Sequence, residues 1–149
     1  KLILKIFLFI KNNKMPKNNH LKQFLIIGST IGLSLFVLFF IITCTWIGYD
    51  VKNQCLQAKK DYHSTCVESL SKLVQDQNRS FSSRNSAIWA LGQLGDSSAL
   101  TVLQNLYTGN IPDREPLNET ISQYELQKAI KLLNGGTNLT AIFWRHNIN

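Results

Sequence analysis

Residues 84–103 read RNSAIWALGQLGDSSALTVL. Ala87, Ile88, Ala90, Leu91 and Leu94 recur at helical spacing and predict a helix over about 83–94. Gly95 stands where such a helix needs a left-handed C-terminal cap. Asp96 follows at once and suits the N-cap of a second helix, about 97–107. That helix would turn Ala99, Leu100, Leu103, Leu106 and Tyr107 inward. One glycine and one aspartate thus fold the chain back on itself. The alanines and Gly92 leave room for two helices to approach closely.

The flanking sequence repeats the theme. Thr65 and Glu68 form a capping box, followed by Val67, Leu70, Leu73 and Val74 at helical spacing; the pattern fades at Asp76-Gln77-Asn78. Ser122 and Glu125 form a second box, opening a helix to about Asn134 that Gly135 and Gly136 stop. Between the helices lies a loop from Thr108 to Ile121, stiffened by Pro112 and Pro116. The only stretch that alternates at all like a strand is Leu139 to Trp144, so the chain reads as all-α. Setting Cys66-Val67, Leu70 and Leu73 over Ala99-Leu100, Leu103 and Leu106 gives an offset of 33 residues. That is a suitable period for a solenoid of stacked helix hairpins.

The 84–103 stretch resembles a HEAT repeat, of the HEAT-like kind found in phycobilisome lyases and many bacterial scaffold proteins. The pattern's Arg, Ala, Ala-Leu-Gly, Leu-Gly-Asp, Ala-Leu and Leu fall on Arg84, Ala87, Ala90-Leu91-Gly92, Leu94-Gly95-Asp96, Ala99-Leu100 and Leu103. The close match is short, and the flanking helices look like degenerate repeats on either side. The resemblance implies a short HEAT-like α-solenoid over 50–149, with its clearest repeat at 83–107. About three repeats are the minimum for burying such faces, and this domain just reaches that. It also implies a protein-binding scaffold. In the lyases the repeat is scaffolding, so it does not carry lyase chemistry across by itself.

Upstream, Leu21 to Ile47 reads LKQFLIIGSTIGLSLFVLFFIITCTWI, without a charge from Phe24 to Ile47. Those 24 residues make about 36 Å of helix at roughly 1.5 Å per residue, enough for a hydrocarbon core roughly 30 Å thick. The sequence therefore predicts a single transmembrane helix over 21–49, behind an N-terminal tail over 1–20. The apolar run is longer than a cleavable signal's and no small-residue cleavage site follows it, so an uncleaved signal anchor is expected. Trp46 and Tyr49 suit the membrane–water boundary. Gly28 and Gly32 match the small-xxx-small packing pattern. Ile41-Ile42-Thr43-Cys44 looks like a lipobox, but Thr43 departs from the small residue that motif wants. Cys44 is expected to be a small hydrophobe facing lipid. Met15 is the only methionine, and residues 1–14 read as an upstream extension to be left out of fold reasoning.

Charge distribution narrows the partners. The formal net charge is +7, yet residues 1–49 hold six lysines and no acid, whereas the rest carries nine acids against ten Lys and Arg. The excess flanks the apolar helix, where it favours anionic head groups. The soluble part lacks the basic face that nucleic-acid binding requires, so none is expected. Cys55 and Cys66 have ten residues between them and could form a disulfide in an oxidising compartment; an extracytoplasmic C-terminal domain is the expectation.

Catalytic and metal motifs are not found. His20, His63 and His146 are scattered, and Cys55, His63 and Cys66 do not have zinc spacing. No enzyme activity and no cofactor are expected. The sequons at Asn78, Asn118 and Asn138 read as chance, because the repeat type and the small anchored layout point to bacteria. Candidate partner-binding residues are Trp89 and the loop residues Asp113, Arg114 and Glu115; the tail from Ala141 to Arg145 packs on the last helix or dips into the membrane interface. The expectation is a membrane-anchored scaffold for protein–protein interaction. The alternative is an accessory or assembly subunit, lyase-like, of a membrane enzyme or pigment complex.

Overall fold

A computed structural model describes residues 20–148; the expected extension 1–14, Met15 and the rest of the tail before His20 lie outside them. The chain is all-helical, with no strand among the described residues. α1 (His20–Tyr62) is followed by α2 (Cys66–Gln75), α3 (Phe81–Leu94), a 3₁₀ turn (Ser97–Ala99) leading into α4 (Leu100–Leu106), α5 (Gln123–Leu133), and α6 (Ala141–Trp144) with a closing 3₁₀ turn (Arg145–Asn147). Two units divide between Ile41 and Ile42.

The first unit is the N-terminal part of α1. Its large apolar side chains are exposed, Phe24 and Phe39 among them. The hydroxyls of Ser29 and Thr30 donate back to the Ile26 carbonyl, at 2.9 and 2.7 Å. Both are thereby satisfied within their own helix. α1 is long and apolar enough to cross a membrane; by length and composition a signal sequence passes the same test.

The second unit is a stack of helices around a single main core. α1 continues to Tyr62 and contributes Cys44, Gly48, Val51, Cys55 and Ala58 as one buried face. Cys44 is therefore covered by protein, not by lipid as the sequence suggested, because this face of α1 is where the domain packs. His63 ends the helix in a left-handed conformation, φ 51°, which histidine tolerates better than most residues. α3 lies at the centre, packed between α2 and α5; α4 lies against α5. Leu70, Val74, Ile88, Leu91, Leu103 and Leu126 are fully enclosed and form the core. Leu70 and Leu103, 33 positions apart, are both fully buried in that core, in keeping with the sequence period.

Local signals explain the ends. Thr65 and Ser122 hydroxyls accept from the amides of Glu68 and Glu125, so that half of each capping box forms. The glutamates pair instead with Lys72 at 3.0 Å and Lys128 at 2.6 Å. α3 begins two residues earlier than the periodicity suggests, because Ser80 caps it through the Ser83 amide. Gly95 closes it at φ 67°, and Asp96 accepts from the Ser98 amide at 2.9 Å to start the next turn. Leu139 to Trp144 is not a strand. Ala141–Trp144 is a helical turn that buries Ala141 and Trp144 on one side, a three-residue spacing that only a helix provides.

Candidate partner-binding surface

Each residue of the HEAT-like pattern has a place in the stack. Arg84 is buried, and its Nε donates to the Val74 carbonyl at 2.8 Å. Val74 is in the last turn of α2, whose carbonyls lack partners inside the helix, so a cation is well placed there. Ala87, Ala90, Leu91, Ala99 and Leu103 are core; Leu94 and Leu100 pack on it half-buried. Gly92 marks the crossing with α5, and Gly95 lies under the Arg145 guanidinium. Arg145 donates from Nε and Nη2 to the Gln93 carbonyl, repeating at the end of α3 the device Arg84 provides for α2.

Asn85, which sequence reasoning passed over, is the main polar organiser. It is buried; its Nδ2 donates to the carbonyls of Leu117 and Thr120, and its Oδ1 accepts from the Ser122 amide. One side chain thus fixes the descent of the long loop into α5. A signal did exist: Asn85 shares a face with Ile88 and Gly92, which is a core register and an odd place for a free polar group.

Around Asn85 lies a groove of about 600 Å³. Its walls are Asp50 and Gln54 of α1, Ser82, Ser86 and Trp89 of α3, Leu117 and Asn118 of the loop, and Glu125 of α5. Trp89 is half-buried, touching both the main core and the smaller cluster around Val51 and Trp144. A second hollow of about 470 Å³ shares Leu117 and Glu125 and is lined by Asp113, Arg114, Glu115 and Tyr124. The four candidate residues named from sequence therefore line two hollows with common walls. Leu117 and Tyr124 are each half exposed beside them. Lys128 sits 4.5 Å from the Tyr124 ring centre and 2.6 Å from the Glu125 carboxylate.

Glu115 differs from the other three. Its carboxylate takes the N-terminus of α5: the Ser122 hydroxyl donates to it, with the amides of Gln123 at 2.6 Å and Tyr124 at 3.1 Å. Partial burial pushes this carboxyl up, but those donors outweigh it and hold it below the ordinary glutamate range. Asp113 and Arg114 remain exposed.

Cys55 and Cys66 are joined through their sulfurs, with Cα atoms 5.1 Å apart, tying α1 to the first residue of α2. Nearby, the Tyr62 hydroxyl donates to Asp76 at 2.7 Å, and Arg79 pairs with Asp61 at 2.6 Å. Among the described residues no group of three His, Cys, Asp or Glu side chains could hold a metal ion.

Residues 83–108 match the family model of the PBS lyase HEAT-like repeat. The chain thus carries a HEAT-like repeat, and the match falls on α3, the 3₁₀ turn and α4. No curated protein and no solved structure matches the chain.

Proposed function

We propose that this chain is a single-pass membrane protein whose HEAT-like helical domain binds a protein segment in the groove beside Trp89. The carrying observation is that groove itself: an open hollow with an aromatic wall, bordered by α1, α3, α5 and the long loop. Tryptophan and tyrosine are among the residues that most often dominate binding energy, and Trp89 is half-buried against both apolar clusters. Asp50 gives the rim an acidic character that suits a basic or amide-bearing segment. The mechanism is shape-complementary binding without chemical conversion. The apolar run of α1 confines the domain to the membrane, and the Cys55–Cys66 bond supports an oxidising, extracytoplasmic location for it.

A photo-crosslinking amino acid at Ser82, on the groove rim, should capture a discrete protein in intact cells. The same group at Gln104, exposed on α4, should not. Equal capture at both positions, or none at either, argues against the groove as the binding site.

The matching family model favours a second reading, an accessory subunit acting like the lyases of pigment complexes. Co-purification of a chromophore with a visible absorbance band would select it.

A further inference from the structure

The last segment of the chain covers the apolar end of α1. Trp144 lies on Gly48, where an added Cβ would come within 2.7 Å of the Trp144 Cβ. Val51 and Ala141 complete this small cluster, with Ile47 and Ile148 packed against it. The segment is firmly held there. Arg145 is bonded to the Gln93 carbonyl, Asn138 donates to the Gln93 side chain at 2.8 Å, and Asn138 also accepts from the Thr140 hydroxyl.

Its level along α1 gives the arm its meaning. Ile47 is the last aliphatic residue before the first charge, Asp50, and Cys44, three positions earlier, is 4% exposed. The domain therefore packs against the very residues at which the apolar run ends. On the outer side of the arm, Ile142 and Phe143 are 63% and 64% exposed, and Leu139 is 64% exposed. Trp46 and Tyr49 of α1, at the same level, are 67% and 62% exposed. Large apolar side chains concentrated where a membrane-crossing run meets polar sequence fit the acyl–headgroup boundary of a bilayer. Lys52 and His146 are exposed close by in sequence, and Lys52 adds a positive charge suited to anionic head groups.

We propose that the arm from Ala141 to Ile148 is a second membrane contact, laying Ile142 and Phe143 into the lipid interface together with Trp46 and Tyr49. This rests on reading α1 as a membrane span.

The test uses the full-length chain in vesicles of phosphatidylcholine and phosphatidylglycerol, with bromine on the acyl chains as a short-range quencher. With Cys44→Ser and the native disulfide intact, an environment-sensitive fluorophore is attached in turn at Ile142→Cys, Leu35→Cys and Asn110→Cys. All three sites are exposed, so labelling is compatible with folding. The expected result is about a twofold loss of emission at 142 and at 35, with 110 unchanged. Quenching at 35 but not at 142 leaves the span in place and overturns the proposal; the arm then faces water or a protein. If neither 35 nor 142 is quenched, the span reading falls and the proposal falls with it.

Discussion

Gly92 of α3 and Ala129 of α5 meet at backbone distance: a Cβ added at Gly92 would stand 2.8 Å from the Ala129 Cα and 2.9 Å from its Cβ. In an open helical position, replacing glycine by alanine stabilises by roughly 0.5–1 kcal/mol. Here the sign reverses, because the two helices must separate. Gly92→Ala should destabilise the domain by about 1–3 kcal/mol, the usual cost of overpacking. Urea titration of the full chain in detergent checks it. An unchanged or higher midpoint would show that the α3–α5 crossing is looser than described.

Asn85 supplies three hydrogen bonds to the segment 117–122. Asn85→Ala removes all of them while leaving the Leu117 and Thr120 carbonyls and the Ser122 amide in place. Each buried group left unpaired costs about 1–3 kcal/mol, less wherever water enters. Hydrogen exchange should rise in residues 117–122 first, while the amides of α2 stay protected. Uniform exchange throughout the domain would show that Asn85 has no local clamping role.

Much of this was readable beforehand because the signals are local. Leu94-Gly95-Asp96 specifies a helix stop, a left-handed cap and a new N-cap within three residues, and all three occur. Asn85 was not readable as a clamp, since its partners are 32 to 37 positions away in a loop without periodicity. The contact of Glu115 with α5 was hidden for a related reason. A charged residue between two prolines looks solvent-directed, and only the fold brings it to the Ser122 end of α5. The continuation of α1 to Tyr62 was legible but overlooked. Val51, Cys55, Ala58 and Tyr62 already recur at helical spacing, with no stop before His63.

Three carboxylates should set the acid stability of the domain. Asp76 is held low by the Tyr62 hydroxyl and then the Asn78 amide, Asp96 by the Ser98 amide, and Glu115 by its helix-end donors against partial burial. Lowered folded-state values mean that their stabilisation is fully present above the ordinary carboxylate range and is lost as pH falls through the folded values. The denaturation midpoint should be flat between about pH 7 and about pH 5 and decline below about pH 4. Glu115→Gln should flatten part of that decline. A variant as acid-sensitive as the parent removes Glu115 from the explanation.

The Cys55–Cys66 link closes a short loop between α1 and α2. Cross-links of this size stabilise by about 2–4 kcal/mol, chiefly by restricting the unfolded chain. Mild reduction, or Cys55→Ser with Cys66→Ser, should lower the thermal midpoint by several degrees. In intact cells, with Cys44→Ser removing the free thiol, a maleimide-polyethylene glycol should shift the chain only after reduction. Labelling without reduction, once the chain is unfolded, would place the domain on the reducing side of the membrane.

The central claim is that the groove beside Trp89 holds a protein partner. Ser86 lines that groove, whereas Thr101 is exposed on α4 outside it. The full-length chain, Ser86→Arg and Thr101→Arg should each be recovered from native membranes and their co-purifying proteins quantified by mass spectrometry. The account predicts one protein that falls about tenfold with Ser86→Arg, a loss of roughly 1.4 kcal/mol of binding, and is unchanged with Thr101→Arg. Co-purifying proteins that respond equally to both substitutions, or to neither, would contradict it.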